Sequence, residues 1–218
     1  CQPGHSGDSV KLLGITQRVE KVENYAERRD CLDQSWSELA LHLHHLCIPL
    51  PNIPQKEVEP LFNALGLDAI VFSGGNTISS LDPLAADAAP ERDGFEYELL
   101  RLALIKKIPV IGVCRGMQMI NLAFGGHLIQ VDRHVATQHA IYPKTNIYEF
   151  PVMVNSYHKW GINPDGLANE LEPLAVDAKG NIEAYKHREA ALLGLMWHPE
   201  RVKSFDVLDI QLITRFLK

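Results

Sequence analysis

The chain has no run that approaches the ~20 consecutive apolar residues needed to cross a bilayer. Residues 1–9 are polar and contain no apolar stretch, so they do not read as an intact secretory leader. Residues 1–10 are expected to be a disordered or extraneous N-terminus, and residues 11–218 the folded unit. Cysteine is sparse: Cys1, Cys31, Cys47 and Cys114 are the only four in 218 residues. A chain of this length does not depend on disulfides, so a reduced protein of the cytoplasm is expected. Positive charge is also the minority, with 21 Lys and Arg against 27 Asp and Glu and a formal net charge of −6. That balance argues against a non-specific nucleic-acid binder. There is no P-loop and no G-x-G-x-x-G, so neither ATP nor a dinucleotide is indicated. Internal repeats and low-complexity tracts are absent as well.

What the chain does have is alternation. Lys11 to Thr16, Asp68 to Phe72 and Ile108 to Val113 are short apolar runs that read as buried strands. Between them lie helical patterns at 30–46, 55–65 and 91–107, and a further helix is expected over 117–124. On this reading Cys31 and Cys47 are core or half-buried thiols of the first helix. The segment 18–29 reads as an irregular loop and 48–54 as a Pro-rich connection. Strand–helix alternation implies right-handed βαβ units and a parallel sheet. The second half turns β-rich, with strands expected at 148–156, 171–177, 182–186 and 192–197, a hairpin turn at 177–181, and a closing helix at 205–217.

Three local patterns carry chemistry. In Gly112-Val113-Cys114-Arg115-Gly116 a buried strand runs into a helix with a thiol at the corner and Gly two positions to either side. Such an elbow lifts the nucleophile clear of the sheet and places it at a helix N-terminus, where the dipole favours thiolate. The Arg115 N–H then faces the place where an oxyanion forms. Trp197-His198-Pro199-Glu200 follows an apolar strand. In extended chain His198 and Glu200 share a side, as a base and the carboxylate that orients it. Ser73-Gly74-Gly75-Asn76 ends another buried strand, where glycine amides can complete an oxyanion hole. The histidines offer little else: His42 and His45 share a helical face without an acidic or Cys partner, and His127, His134 and His139 show no ligand spacing. No metal site and no cofactor are expected.

Together these strings, with Met117 and Gln118 after the elbow, resemble the class I glutamine amidotransferases, a flavodoxin-like α/β fold with a mostly parallel central sheet. Asn121 to Gly126 and Val154-Asn155-Ser156-Tyr157-His158 are similar to the γ-glutamyl hydrolase branch. Gly14 to Arg18, the stretch from Tyr25 to Arg29, Ile182 to His187 and Gly194 to His198 resemble the γ-glutamyl-CDP-amidate hydrolases of capsule phosphoramidate synthesis. The resemblance implies a Cys114–His198–Glu200 triad, an oxyanion hole from Gly75 and Arg115, and no cofactor. It also implies that Gly74, Gln118, Asn155, Ser156, Tyr157 and His158 hold the glutamyl group. Arg18, as first choice, and Arg28, Arg29, His158, Lys159 and Lys186 are candidates for a phosphate by their position in loops or near the motif strands. The implied partner is a small γ-glutamyl substrate, with a nucleotide-linked one as the nearest fit. A glutaminase subunit feeding ammonia to a partner synthase, a hydrolase of other γ-glutamyl amines, and a homo-oligomer all remain open.

Overall fold

A computed structural model describes residues 10–24, 26–132 and 135–218. Expectations for residues 1–9, Tyr25 and His134 lie outside the described residues. The elements in chain order are β1 (Lys11–Thr16), β2 (Arg18–Lys21), β3 (Arg28–Cys31), α1 (Ser35–His42), β4 (His45–Leu50), α2 (Val58–Leu65), β5 (Ala69–Phe72), α3 (Pro90–Lys106), β6 (Val110–Val113) and α4 (Arg115–Ala123). The second half supplies β7 (Ile129–Gln130), β8 (Val135–Ala140), β9 (Tyr142–Pro143), β10 (Met153–Tyr157), β11 (Trp160–Gly161), β12 (Leu171–Val176), β13 (Ile182–His187), β14 (Leu192–Leu195) and α5 (Val207–Phe216).

An eight-stranded sheet in the order β4-β1-β5-β6-β14-β13-β12-β9 forms the centre. Its first five strands are parallel and the last three antiparallel. β5, β6 and β14 are buried at every position, as strands covered on both faces must be. Alternate side chains divide the core in two. Ala69, Val71, Ile111, Val113, Leu193 and Leu195 pack with Trp36 and Leu39 of α1 and with Leu212 and Ile213 of α5. Ile70, Phe72, Val110 and Leu192 pack with Val58 and Phe62 of α2 and Phe95 and Leu99 of α3. No helix among the described residues is long and apolar enough to cross a membrane.

The parallel half follows the sequence expectation, with three corrections near the N-terminus, one being that residues 48–50 of the expected Pro-rich connection belong to strand β4. The segment 18–29 is not irregular: β2 and β3 pair as an antiparallel hairpin, Arg18 opposite Cys31 and Lys21 opposite Arg28. A polar ribbon with one buried anchor, Val19, shows no clear alternation. It is held instead by Asn76, whose side chain accepts from the Val19 N–H at 2.8 Å and donates to the Val19 carbonyl at 2.9 Å. The helical pattern over 30–46 is also too long. α1 covers Ser35–His42, and His44, at φ +58°, ends it in left-handed backbone. The chain then turns into β4, paired along β1. Cys31 and Cys47 therefore sit on strands, not on a helix.

In the second half the 177–181 turn joins β12 and β13, with Asp177 Oδ1 accepting from the Lys179 and Asn181 N–H groups, each at 2.8 Å. The strand expected over 148–156 begins only at Met153, after Pro151.

Candidate active site

Cys114 sits where β6 meets α4, at the carboxyl ends of the parallel strands. Its backbone has φ +52° and ψ −108°, a left-handed conformation rare for a residue with a side chain. The flanking glycines make the corner possible. A Cβ on Gly116 would lie 2.0 Å from the Phe72 carbonyl oxygen, and one on Gly112 would lie 2.8 Å from the Met117 nitrogen. The Cys114 N–H is pinned to the Leu195 carbonyl at 2.7 Å. The corner is thus welded to both neighbouring strands.

β14 delivers His198 to the same end of the sheet. His198 is buried, hydrogen bonds to the Cys114 thiol, and places Nδ1 2.7 Å from Glu200 Oε1. The route differs from the extended geometry expected. Pro199–Arg201 forms a 3₁₀ turn, and the turn, not strand alternation, brings the carboxylate back under the ring. Burial pushes the imidazole pKa down, but its hydrogen bonds to Cys114 and Glu200 outweigh burial and hold it at about 9. The ring packs over Gly74, where a Cβ would meet His198 Cε1 at 2.6 Å. Asn155 fixes the His198 backbone from both sides: its amide donates to the His198 carbonyl at 2.8 Å and its carbonyl accepts from the His198 N–H at 2.9 Å.

The loop Ser73–Asn76 is held by a residue that the sequence pattern hid. Arg92 of α3 is fully buried. Its guanidinium donates to the carbonyls of Ser73 at 2.7 Å, Gly74 at 3.1 Å and Gly75 at 2.8 Å. A trans peptide points its N–H opposite to its carbonyl, so the Gly75 N–H is turned away from Arg92. Glu96 accepts from Arg92, from Thr16 at 2.7 Å and from Arg115, which also pairs with Asp93. Burial alone raises the Glu96 pKa, but Arg115 and Arg92 together hold it below the usual carboxylate value. The only sequence signal for this network was an Arg and a Glu four apart within the first turns of a helix.

Gly75, Cys114, Arg115, Gln118, Tyr157 and His158 line one cavity of about 410 Å³. Gln118 donates to the Trp160 carbonyl at 2.8 Å. His158 is buried and its Nδ1 lies 2.9 Å from the same carbonyl. Tyr157 meets the His198 ring edge-on at 5.7 Å between centroids, with Arg201 on its ring 4.7 Å from the centroid. Ser156 is buried in β10. A second cavity of about 340 Å³ shares Asn76 and Asp87 with the first and is lined by Arg18, Lys21 and Arg28. Arg18 therefore stands beside the site. Lys186 does not: it pairs opposite Leu193 on a strand running away from Cys114, and its ammonium is 3.0 Å from Glu172. Nearness to a motif strand in sequence carries no information on the direction in which the strand runs.

One acid also escaped the sequence pattern. Glu183, at the near end of β13, is buried, and burial, with Asp177 and Cys114 adding to it, pushes its pKa up to about 9.

A thiol on a strand–helix elbow, an imidazole bonded to it and a carboxylate behind the imidazole, all at the carboxyl edge of a parallel sheet, define a nucleophilic amide hydrolase of class I glutamine amidotransferase type. Comparison with known proteins agrees: residues 11–200 match the Peptidase C26 family, and the chain belongs to it. It is 31% identical over 200 residues to the γ-glutamyl-CDP-amidate hydrolase of Campylobacter jejuni, covering 91% of this chain and 94% of that one. It is 31% identical over 162 residues to a glutamine-hydrolysing GMP synthase subunit of Methanococcus maripaludis, covering 72% of this chain and 78% of that one. Among solved structures, a glutamine amidotransferase from Thermotoga maritima superposes with a TM-score of 0.59 over 88% of this chain and 76% of that one, at 17% identity.

Proposed function

We propose that the protein hydrolyses γ-glutamyl-CDP-amidate to glutamate and cytidine diphosphoramidate, in the cytoplasm, through a γ-glutamyl thioester on Cys114. The observation that carries the hydrolytic part is the buried hydrogen-bonded chain Cys114–His198–Glu200 opening into one cavity with Gln118 and His158.

The Cys114 sulfur adds to the γ-carbonyl carbon, and the carbonyl oxygen takes the negative charge. The N–H groups of Gly75 and Arg115 receive it: the Arg115 N–H begins α4 with no acceptor inside the helix, and Arg92 keeps the Gly75 N–H turned outward. His198, which carries its proton at neutral pH, gives it to the leaving nitrogen as the C–N bond breaks. The neutral imidazole then takes a proton from water, the hydroxyl adds to the thioester, and the C–S bond breaks to free glutamate and the thiolate. Glu200 holds the ring through Nδ1 and stabilises its cationic form throughout.

The nucleotide side of the substrate is supported by the second cavity. A group leaving from the thiol pocket passes Asn76 and Asp87 into a cleft with Arg18, Lys21 and Arg28, cations suited to a diphosphate once Arg18 and Arg28 exchange their half-exposed pairs with Glu20 and Glu91 for it. The first test is glutamate release from γ-glutamyl-CDP-amidate, L-glutamine and simple γ-glutamyl amines, with Cys114→Ala alongside. Fast release from the nucleotide substrate alone, lost in Cys114→Ala, is expected. Equal turnover of all of them would end the nucleotide-specific reading. Strong glutaminase activity appearing only with a co-purified synthase would favour the ammonia-supplying role.

A further inference from the structure

Three side chains that are remote in sequence converge beside the thiol cavity: His139 of β8, His158 after β10 and Glu183 of β13. One ligand atom from each lies within 4.8 Å of the other two. His139 Nε2 and Glu183 Oε2 are 3.6 Å apart. Two ligands bound about 2.1 Å from a tetrahedral ion lie about 3.4 Å apart, so this pair is already near coordinating distance. Each imidazole is also oriented. Nδ1 of His158 lies 2.9 Å from the Trp160 carbonyl and Nδ1 of His139 lies 3.2 Å from the Ala140 carbonyl. A carbonyl only accepts, so in the neutral ring the proton sits on Nδ1 and the lone pair on Nε2. Metal-binding histidines show this arrangement, with the far nitrogen donating to a backbone carbonyl.

An independent feature points to a cation. Glu183 is 1% exposed, and neither of its carboxylate oxygens has a hydrogen-bond partner among the described residues. Buried carboxyl oxygens without partners are costly to keep, and a bound cation that displaces the carboxyl proton is one of the few groups that satisfies them. Two imidazoles and one carboxylate, with an open fourth position, suit a borderline divalent ion of the zinc type and not Mg²⁺ or Ca²⁺, which take oxygen ligands.

We infer that His139, His158 and Glu183 form a binding site for one zinc-class divalent cation at the wall of the catalytic cavity. The site shares His158 with the substrate cavity, while His139 and Glu183 have no part in the hydrolase reading.

The test is titration of Cys114→Ser protein, in which the thiol cannot compete, with Zn²⁺ and with Co²⁺ as a visible probe. One ion per chain, a Co²⁺ ligand-field spectrum of low coordination number and a Zn²⁺-dependent rise in Tm are expected. Glu183→Gln and His139→Ala, placed separately in that background, each weaken binding at least about tenfold, while His42→Ala on α1, outside the cluster, leaves it unchanged. Absence of stoichiometric binding, or binding that is the same in Glu183→Gln and His139→Ala, overturns the proposal. Circular dichroism shows that each variant is folded, and the near-isosteric Glu183→Gln carries the test if His139→Ala is not. Because no turnover is measured, the result is separate from any failure of the hydrolase reading.

Discussion

At the scale of single residues, the site is governed by what surrounds His198. Its pKa of about 9 depends on the Cys114 and Glu200 hydrogen bonds winning over burial. The protonated ring is the acid for the leaving nitrogen, so kcat/KM, which follows the free enzyme, is expected to fall as pH rises through about 9. Glu200→Gln keeps an acceptor for Nδ1 but removes the negative charge that stabilises the cationic ring, and the basic limb of the kcat/KM profile should move to lower pH, with kcat reduced at every pH. An unchanged limb would separate Glu200 from the imidazole proton. Gly74 tests position: a methyl group there meets the ring at 2.6 Å, so Gly74→Ala should lower kcat about 100-fold, the scale of a misplacement near 1 Å, with little change in Tm. Asp209 tests burial. Its carboxyl, which accepts from Trp197 Nε1 at 3.0 Å, is pushed up to about 7 chiefly by burial. The folded protein holds that proton above the pH at which the unfolded chain loses it, so this group costs stability as pH rises from about 4 to 7. Asp209→Asn should then be more stable than the parent at pH 8, by up to about 4 kcal/mol, and the gain should vanish near pH 4 in denaturant titrations.

At the scale of elements, α3 has a task that its sequence conceals. A helix with Pro90 at its first turn, early acids and late lysines reads as a surface helix, and its limits were legible for that reason. What the pattern did not reveal is that Arg92 and Glu96 point inward, where a polar residue at a core-facing position reads only as noise in the periodicity. Their burial is intelligible once Ser73–Asn76 is seen to present three carbonyls to the same spot. Glu96→Gln leaves Arg92 and Arg115 buried with too little opposing charge, and should cost about 3–5 kcal/mol. At about 2–4 °C per kcal/mol for a chain of this size, Tm should drop by roughly 10 °C, measured by calorimetry. The β2–β3 hairpin escaped for a related reason. A ribbon pinned by Asn76 from another loop needs no alternation of its own.

At the scale of the whole molecule, two cavities meet at Asn76 and Asp87, one holding the thiol and the other Arg18, Lys21 and Arg28. The proposed substrate spans them. Arg18→Ala combined with Arg28→Ala should reduce the preference for γ-glutamyl-CDP-amidate over a simple γ-glutamyl amine about tenfold in kcat/KM. Added salt should erode the parent's preference in the same direction, because exposed charge contacts are screened. A preference untouched by both changes would place the phosphates elsewhere.

The sequence by itself determined the buried middle of the sheet, the elbow and the pair behind it, but not the edge strands β4 and β9. β5, β6 and β14 are buried on both faces and so read as unbroken apolar runs. The elbow and Trp197-His198-Pro199-Glu200 are local strings whose geometry is set within a few residues. Only the tertiary structure decided what lies further out. Lys186 falls away from the site because β13 runs antiparallel to β14, and the same reversal carries Glu183 toward Cys114. Arg92 reaches the Ser73 loop, and His139 reaches His158 and Glu183, across separations that no local pattern spans. Strand direction and inward-facing charge are settled by packing, which obeys distance in space and not in the chain.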